Sequence, residues 1–241
     1  MTLLYVNGDS HTAAAEAVNP HGFAQDDGQY LQRGRRPHPD NLKVSWGRKL
    51  ADLMNADFSC NAESASSNDR IRRTTIDYLT SRKDRKIQDL PWPDYMVIGW
   101  STWERAEWLY DDIYWQVNAG GVGHDWPDEI KRRYKNYVAN IDYQKCMREE
   151  HKKIYQMHLD LNLMGFKHLF FNTFLPFSGT EQVDWGNSYL EPYNPDFTFY
   201  NWCLAQGFKT VYPGSYHFGP DAHAAWAEFI YPYIVQTALT Q

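Results

Sequence analysis

Short apolar runs alternate along this chain with longer stretches of helical periodicity. Leu3-Leu4-Tyr5-Val6, ending at Asn7, reads as a buried first strand, and Asp57 to Asn61 as a second. Tyr95-Met96-Val97-Ile98-Gly99 is continuous and apolar, as a strand buried on both faces should be, and Lys167 to Phe171 gives a fourth. Between them, Trp46, Leu50 and Leu53 fall at i, i+4 and i+7, so a helix is expected from Val44 to Asn55 with Ser45 as its N-cap. A polar loop, Glu63 to Asn68, leads into a second helix over Asp69 to Arg82, and Pro91-Trp92-Pro93 breaks the chain.

Trp103 to Val117 also reads as helical, closed by a glycine-rich turn from Ala119 to Gly123. Trp126 to Leu163 carries two apolar faces, which one kinked helix or two helices would satisfy, and Gly165 is a natural stop. After the fourth strand come a long aromatic loop (Pro176 to Asp196), a short helix ending near Gly207, and a fifth strand over Phe208 to Tyr212. Pro220 suits the first position of a last helix.

Strands alternating with helices predict a parallel sheet covered on both faces. The expected fold class is α/β, a flavodoxin-like three-layer α/β/α sandwich with a central parallel sheet of about five strands. One domain over residues 1–241 accounts for the length, with insertions around 19–41, 104–150 and 176–196. Ligands of such folds sit beyond the carboxyl ends of the strands. Asn7-Gly8-Asp9-Ser10, the Glu63–Asn68 loop, the turn after Gly99 and the loop before Gly219 all lie at such ends.

Composition narrows the function classes. A formal charge of −6 argues against a partner held by phosphate contacts; Arg33 to Arg36 and Lys131 to Arg133 read as solvated surface. Cys60, Cys146 and Cys203 are odd in number and form no zinc spacing, so buried thiols in a reducing compartment are expected, with no metal and no cofactor. Met1 leads directly into a strand, without a signal peptide, and no apolar run reaches membrane-spanning length. Cytoplasmic synthesis is therefore expected, with no membrane or nucleic-acid partner. Gly120-Gly121-Val122-Gly123 lacks the Lys-Ser/Thr of a phosphate loop. Ten Trp and seventeen Tyr exceed what such a domain buries. Trp103, Trp126, Trp185 and Tyr189, in or near loops at the expected pocket mouth, are either core or a platform for a sugar ring or a protein partner.

The candidate chemistry lies at the two ends of the chain. Ser10 follows the first strand on a tight turn, where a helix is expected to begin, with backbone N–H groups nearby for an oxyanion. His217 precedes the last helix. A serine hydroxyl needs a base at neutral pH, and histidine supplies one, so the pair suggests an ester-cleaving hydrolase.

Gly8-Asp9-Ser10, AESASSNDRI (Ala62 to Ile71), Val97-Ile98-Gly99-Trp100-Ser101 and HFGPDAHAAWA (His217 to Ala227) occur in the order of the four blocks of the SGNH/GDSL hydrolase superfamily, which the chain resembles over most of its length. The resemblance implies Ser10 as nucleophile and His217 as base. It implies oxyanion donors at the Ser10 and Ala65 N–H groups, with Ser101 or Asn68 as the third. Three positions depart from the pattern: Ala65 stands for a glycine, Ser101 for an asparagine, and Gly214 where an acid three residues before the histidine is usual. A backbone carbonyl near Gly214 or Ser215 would orient the ring without charge; Asp221 lies on the wrong side of His217.

Other residues have competing readings. Asp9 caps the turn or contributes to the pocket; Asn68 binds an oxyanion or caps a helix; His11 lines the pocket or has no role; His223 packs under the helix or bonds a loop. Arg105 pairs with Glu104 or Glu107, or holds an anionic group. The main expectation is an esterase acting on small acyl esters, such as acetyl groups on carbohydrate. The alternative is a catalytically weak or inactive SGNH-fold binding protein; block variants of this kind occur among bacteriophage-encoded members, which makes a virion component one form of it. An acyltransferase using the same serine is a third reading.

Overall fold

A computed structural model describes residues 2–24, 36–84, 92–118 and 126–240, with backbone alone at 82–84 and 237–240. Outside the described residues lie the glycine-rich turn from Ala119 to Gly123, Pro91, Arg33 to Arg35 and much of the 19–41 excursion. In chain order the elements are β1 (Leu3–Asn7), α1 (Pro39–Lys43), α2 (Trp46–Leu53), β2 (Asp57–Cys60), α3 (Asn68–Asp84), β3 (Tyr95–Trp100), β4 (Ala106–Tyr110), β5 (Ile113–Val117), α4 (Asp128–Ala139), α5 (Tyr143–Leu163), β6 (Lys167–Asn172), a 3₁₀ turn (Pro195–Phe197), α6 (Phe199–Ala205) and α7 (Pro220–Thr240).

The central sheet is parallel, ordered β2-β1-β3-β6. Val6 pairs with Cys60 on one side and Val97 on the other, and Val97 with Leu169. Residue parity sorts its two faces. Leu4, Val6, Val97, Leu169 and Phe171 point to a core built with Trp46 and Leu50 of α2 and Trp226 and Ile230 of α7. Tyr5, Met96, Ile98, Trp100 and Phe170 point the other way, onto Ile71 of α3 and Ile154 and Leu161 of α5. The result is the three-layer α/β/α sandwich. Its order reverses between β1 and β3, the kind of position beyond which α/β folds bind ligands, and Ser10 and Ser101 follow the ends of these two strands.

Local chemistry sets the helix ends. Ser45 Oγ accepts from the Arg48 N–H at 3.2 Å, and Asp142 from the Lys145 N–H at 2.9 Å. Asp142 opens α5 after the break at Asn140, so the long helical pattern resolves into two helices. Gly165 takes φ 75° at the end of α5.

Two expectations are corrected. Ala106 to Val117 is an antiparallel hairpin, not a helix. Asp111 and Asp112 adopt φ 52° and 58°, the left-handed pair of a two-residue hairpin turn, and Trp108 faces Trp115 across the strands. Trp108, Trp115 and Val117 pack on Trp126, Ile130 and Tyr134 in a satellite core. Among the described residues the central sheet has four strands rather than five: Phe208 to Tyr212 makes a single bridge, Thr210 to Phe218, and does not join it. Lys209 and Tyr212 are exposed, so this segment has no buried face with which to join the sheet.

Candidate active site

The turn after β1 is built on close approach. A Cβ at Gly8 would lie 2.1 Å from Thr12 Oγ1 and 2.9 Å from the Gly99 carbonyl, so only glycine fits between β1 and β3. Residues 10–16 are successive turns instead of the expected helix start. Ala13 N–H bonds Asp9 O at 3.0 Å and Ala15 N–H bonds Ser10 O at 2.9 Å, but Ala14 and Glu16 adopt φ 51° and 65°, which ends any right-handed continuation. Ser10 is 7 % exposed. Among the described residues, neither its hydroxyl nor its N–H has a hydrogen-bond partner.

Asp9 is fully buried. Its carboxylate accepts from the His11 N–H at 3.0 Å and the Ser101 hydroxyl at 3.0 Å, with Arg105 Nη1 at 3.4 Å. Burial alone would raise its pKa; His11 and Arg105 outweigh that and hold it down at about 2. Asp9 is thus an ionised anchor for the turn.

Ser101 and Asn68 meet, but as partners of each other. Asn68 Oδ1 accepts from the Ser101 N–H at 2.8 Å and its Nδ2 lies 3.3 Å from the Ser101 carbonyl. The Ser101 hydroxyl donates to Asp9 and accepts from Arg105 Nη1 at 2.8 Å. Both side chains expected to offer an oxyanion donor are therefore engaged in joining the turns after β1 and β3 to α3. Nor does Asn68 cap that helix: Ser67 Oγ accepts from the Arg70 N–H at 3.2 Å. Arg105 goes to neither Glu104 nor Glu107, but to Ser101, Asp9 and the Ser66 carbonyl at 3.5 Å. Ala65 adopts φ 66°, the conformation that suits glycine. Among the described residues its N–H has no acceptor.

His217 lies on the turn before α7, half-buried. Its Nδ1 is 2.8 Å from Glu16 Oε2. Glu16 also accepts from Tyr212 Oη at 2.8 Å and Ser215 Oγ at 2.9 Å. Burial and the neighbouring His11 pull the His217 pKa below its ordinary value, against the opposing pull of Glu16. Burial would raise the Glu16 carboxyl, but bonds from His217, Tyr212 and Ser215 hold it below its usual range. The His217 ring centroid is 5.1 Å from that of His11, the residue after Ser10. No hydrogen bond joins Ser10 and His217. His11 itself is tied down, with Nε2 2.9 Å from the Tyr216 carbonyl and Nδ1 3.4 Å from Asp9. His223 is buried and accepts from the Trp46 N–H at 3.3 Å.

Glu16 is the residue the sequence did not reveal. It is one acidic side chain at the end of an alanine-rich stretch, and only two left-handed residues bring it back to the far end of the chain. The aromatic platform also differs from expectation. Trp103, Trp126, Trp185 and Tyr189 are all buried, in the core beside α5 or under the hairpin. Aromatic groups do flank the site: Phe174 lies 4.5 Å from His11 and 5.3 Å from Tyr200 between centroids, and Tyr216 beside them is 64 % exposed. A groove of about 610 Å³ between α3 and α5, walled by Ile76, Leu79 and Met157, contains none of these residues. Among the described residues no cluster of three or more His, Cys, Asp or Glu has metal-binding geometry, and no helix is long and apolar enough to cross a membrane.

A family profile described as a family of unknown function (DUF6071) matches residues 31–184. No curated protein matches the chain significantly. Among solved structures, the chain is similar to a carbohydrate esterase family 2 enzyme with a carbohydrate-binding domain from Corynascus thermopiles (Myceliophthora fergusii), at 14 % identity and TM-score 0.43 over 98 % of this chain and 66 % of that one. It is similar to an acetyl xylan esterase from the rumen bacterium Butyrivibrio proteoclasticus, at 11 % identity and TM-score 0.41 over 98 % and 64 %. A carbohydrate esterase whose active site displays divergent catalytic and non-catalytic binding functions gives 14 % identity and TM-score 0.39 over 98 % and 65 %. The chain thus spans just under two thirds of the length of each of these proteins.

Proposed function

The chain belongs to DUF6071, a family of unknown function, and we propose that it is a serine ester hydrolase of SGNH type, cleaving small acyl esters such as acetyl groups on a carbohydrate. One observation carries this reading. At the switch point, where most polar groups are tied to one another, the Ser10 hydroxyl, Ser10 N–H and Ala65 N–H have no partner among the described residues. The half-buried ring of His217 lies next to the residue that follows Ser10.

In this mechanism Ser10 Oγ attacks the ester carbon while its proton passes to His217 Nε2. The carbonyl oxygen, now negative, is held by the Ser10 and Ala65 N–H groups. The carbon–oxygen bond to the alcohol breaks, and the alcohol leaves with the proton from His217. Water then attacks the acyl-serine with His217 again as base, which releases the acid and restores the hydroxyl. Ser101 and Asn68 contribute by fixing the loops, and one missing side-chain donor lowers the rate by about a hundredfold. Phe174, Tyr200 and exposed Tyr216 supply apolar faces for a sugar ring beside the ester.

The second reading, a catalytically weak or inactive SGNH-fold binding protein such as a virion component, is favoured by the lack of a Ser10–His217 hydrogen bond. Hydrolysis of p-nitrophenyl acetate and acetate release from acetylated xylo-oligosaccharides decide between them. The esterase reading expects slow turnover that falls to background in both Ser10→Ala and His217→Ala. Equal rates in either variant, or none in the parent with both substrates, would favour the binding reading.

A further inference from the structure

We infer that Glu16 is the positioning carboxylate of the His217 centre, supplied from the N-terminal turn in place of the acid that Gly214 cannot provide. The inference rests on the Ser10–His217 reading and deepens it.

Glu16 Oε2 lies 2.8 Å from His217 Nδ1. An ionised carboxylate only accepts hydrogen bonds, so Nδ1 must carry the proton and Nε2 the lone pair. That is the tautomer a base for Ser10 requires. The carboxylate is itself held. Tyr212 donates to Oε1 at 2.8 Å and Ser215 to Oε2 at 2.9 Å. Ser215 Oγ in turn accepts from the His217 N–H at 3.0 Å, and the Val211 N–H bonds the His217 carbonyl at 2.9 Å. Carboxylate and imidazole are thus fixed to one turn.

Backbone strain points the same way. Ala14 at φ 51° and Glu16 at φ 65° are two non-glycine left-handed residues within three positions. Each is disfavoured for an L-residue and persists only where its surroundings demand it. Their effect is to turn a chain that has just left Ser10 back toward His217. The small stabilisation of an ordinary surface ion pair would not account for that strain. A charged partner for the imidazolium formed during proton transfer does account for it.

The charged and titratable groups around His217 are Glu16 and Tyr212 from the two turns, His11 and Asp9 from the Ser10 turn, and His223 on α7. Glu16 and Asp9 favour the imidazolium, whereas His11 and His223 disfavour it. Removing the Glu16 charge therefore lowers the His217 pKa.

The test is Glu16→Gln, which keeps an acceptor at the same place and removes the charge, with Glu16→Asp to restore the charge on a shorter arm. Imidazole nitrogen NMR on the full chain, without substrate, is expected to show protonated Nδ1 in the parent and a His217 pKa about one unit lower in Glu16→Gln. With p-nitrophenyl acetate, kcat should fall about 10²–10³-fold at unchanged KM, and the acid limb of kcat/KM should move to lower pH. Glu16→Asp should recover part of both the rate and the pKa. An unchanged His217 pKa and tautomer in Glu16→Gln would overturn the inference. A lost esterase reading shows separately, in the Ser10→Ala comparison, because the NMR arm needs no turnover.

Discussion

Ala65 holds a left-handed backbone, φ 66°, with a Cβ attached. That conformation costs an L-residue about 1–2 kcal/mol, partly offset because glycine loses more freedom on folding. Ala65→Gly is therefore expected to raise the unfolding free energy by about 0.5–1 kcal/mol in urea while leaving ester hydrolysis intact, since the proposed donor is the backbone N–H. A loss of stability would show that the Ala65 Cβ packs usefully. At this scale the sequence marks candidates by residue type alone. Ser10 and His217 stand out because a hydroxyl after a first strand and an imidazole before a last helix are chemically unusual. Ser101 and Asn68 are expected from the sequence as oxyanion donors, but their partners are not legible there, because each engages the other across 33 positions of chain. Glu16 was illegible for the same reason at greater range, 201 positions, and because no local propensity predicts left-handed backbone at Ala14 and Glu16.

The hairpin of β4 and β5 bears directly on the candidate oxyanion loop. Gln116 on β5 donates to Glu107 Oε1 at 2.6 Å, and its own oxygen lies 3.2 Å from the Ser67 N–H, two residues beyond Ala65. Glu107 is fixed in turn by Arg73 of α3 through two bonds of 2.7 Å. Gln116→Ala leaves Ser67 and Glu107 each short of a partner. It is expected to cost about 1–2 kcal/mol in urea unfolding and to lower kcat several-fold on p-nitrophenyl acetate, with KM little changed. Lost stability at full kcat would make the hairpin a brace with no influence on the site. This hairpin is also the element that the sequence pattern disguises most, as a helix. Trp108, Leu109, Ile113 and Trp115 satisfy either period over so short a span, and an Asp-Asp pair is a weaker turn signal than Asp-Gly. The four central strands were legible because burial on both faces makes them continuous apolar runs, a pattern that depends on no distant partner.

At the scale of the molecule, four of the five buried histidines among the described residues make the fold sensitive to acid. Burial lowers the pKa of His168 to about 4 and of His223 to about 3, and lowers those of His151 and His158. His168 and His158 share a hydrogen bond of 2.9 Å beside the β6 core, while His223, in the layer on the other face of the sheet, bonds the neighbouring α2. Unfolded histidine takes up its proton near 6.5. Between pH 6.5 and about 4 the unfolded chain thus binds more protons than the native one, so stability is complete above 6.5 and declines as pH falls. Asp9, held at about 2 in the fold, extends the decline below pH 4, while Glu150, raised by burial, opposes it near its own range. Urea unfolding is expected to lose on the order of 2–4 kcal/mol between pH 7.5 and 5. His223→Gln should flatten the curve even if it lowers stability at neutral pH. A pH-independent midpoint above pH 5 would mean that these rings do not remain neutral in the native state. Because His217 also titrates below 6.5, activity and stability decline over overlapping windows. The two separate kinetically: protonation of His217 reverses at once on return to pH 7.5, whereas unfolding recovers only at the refolding rate.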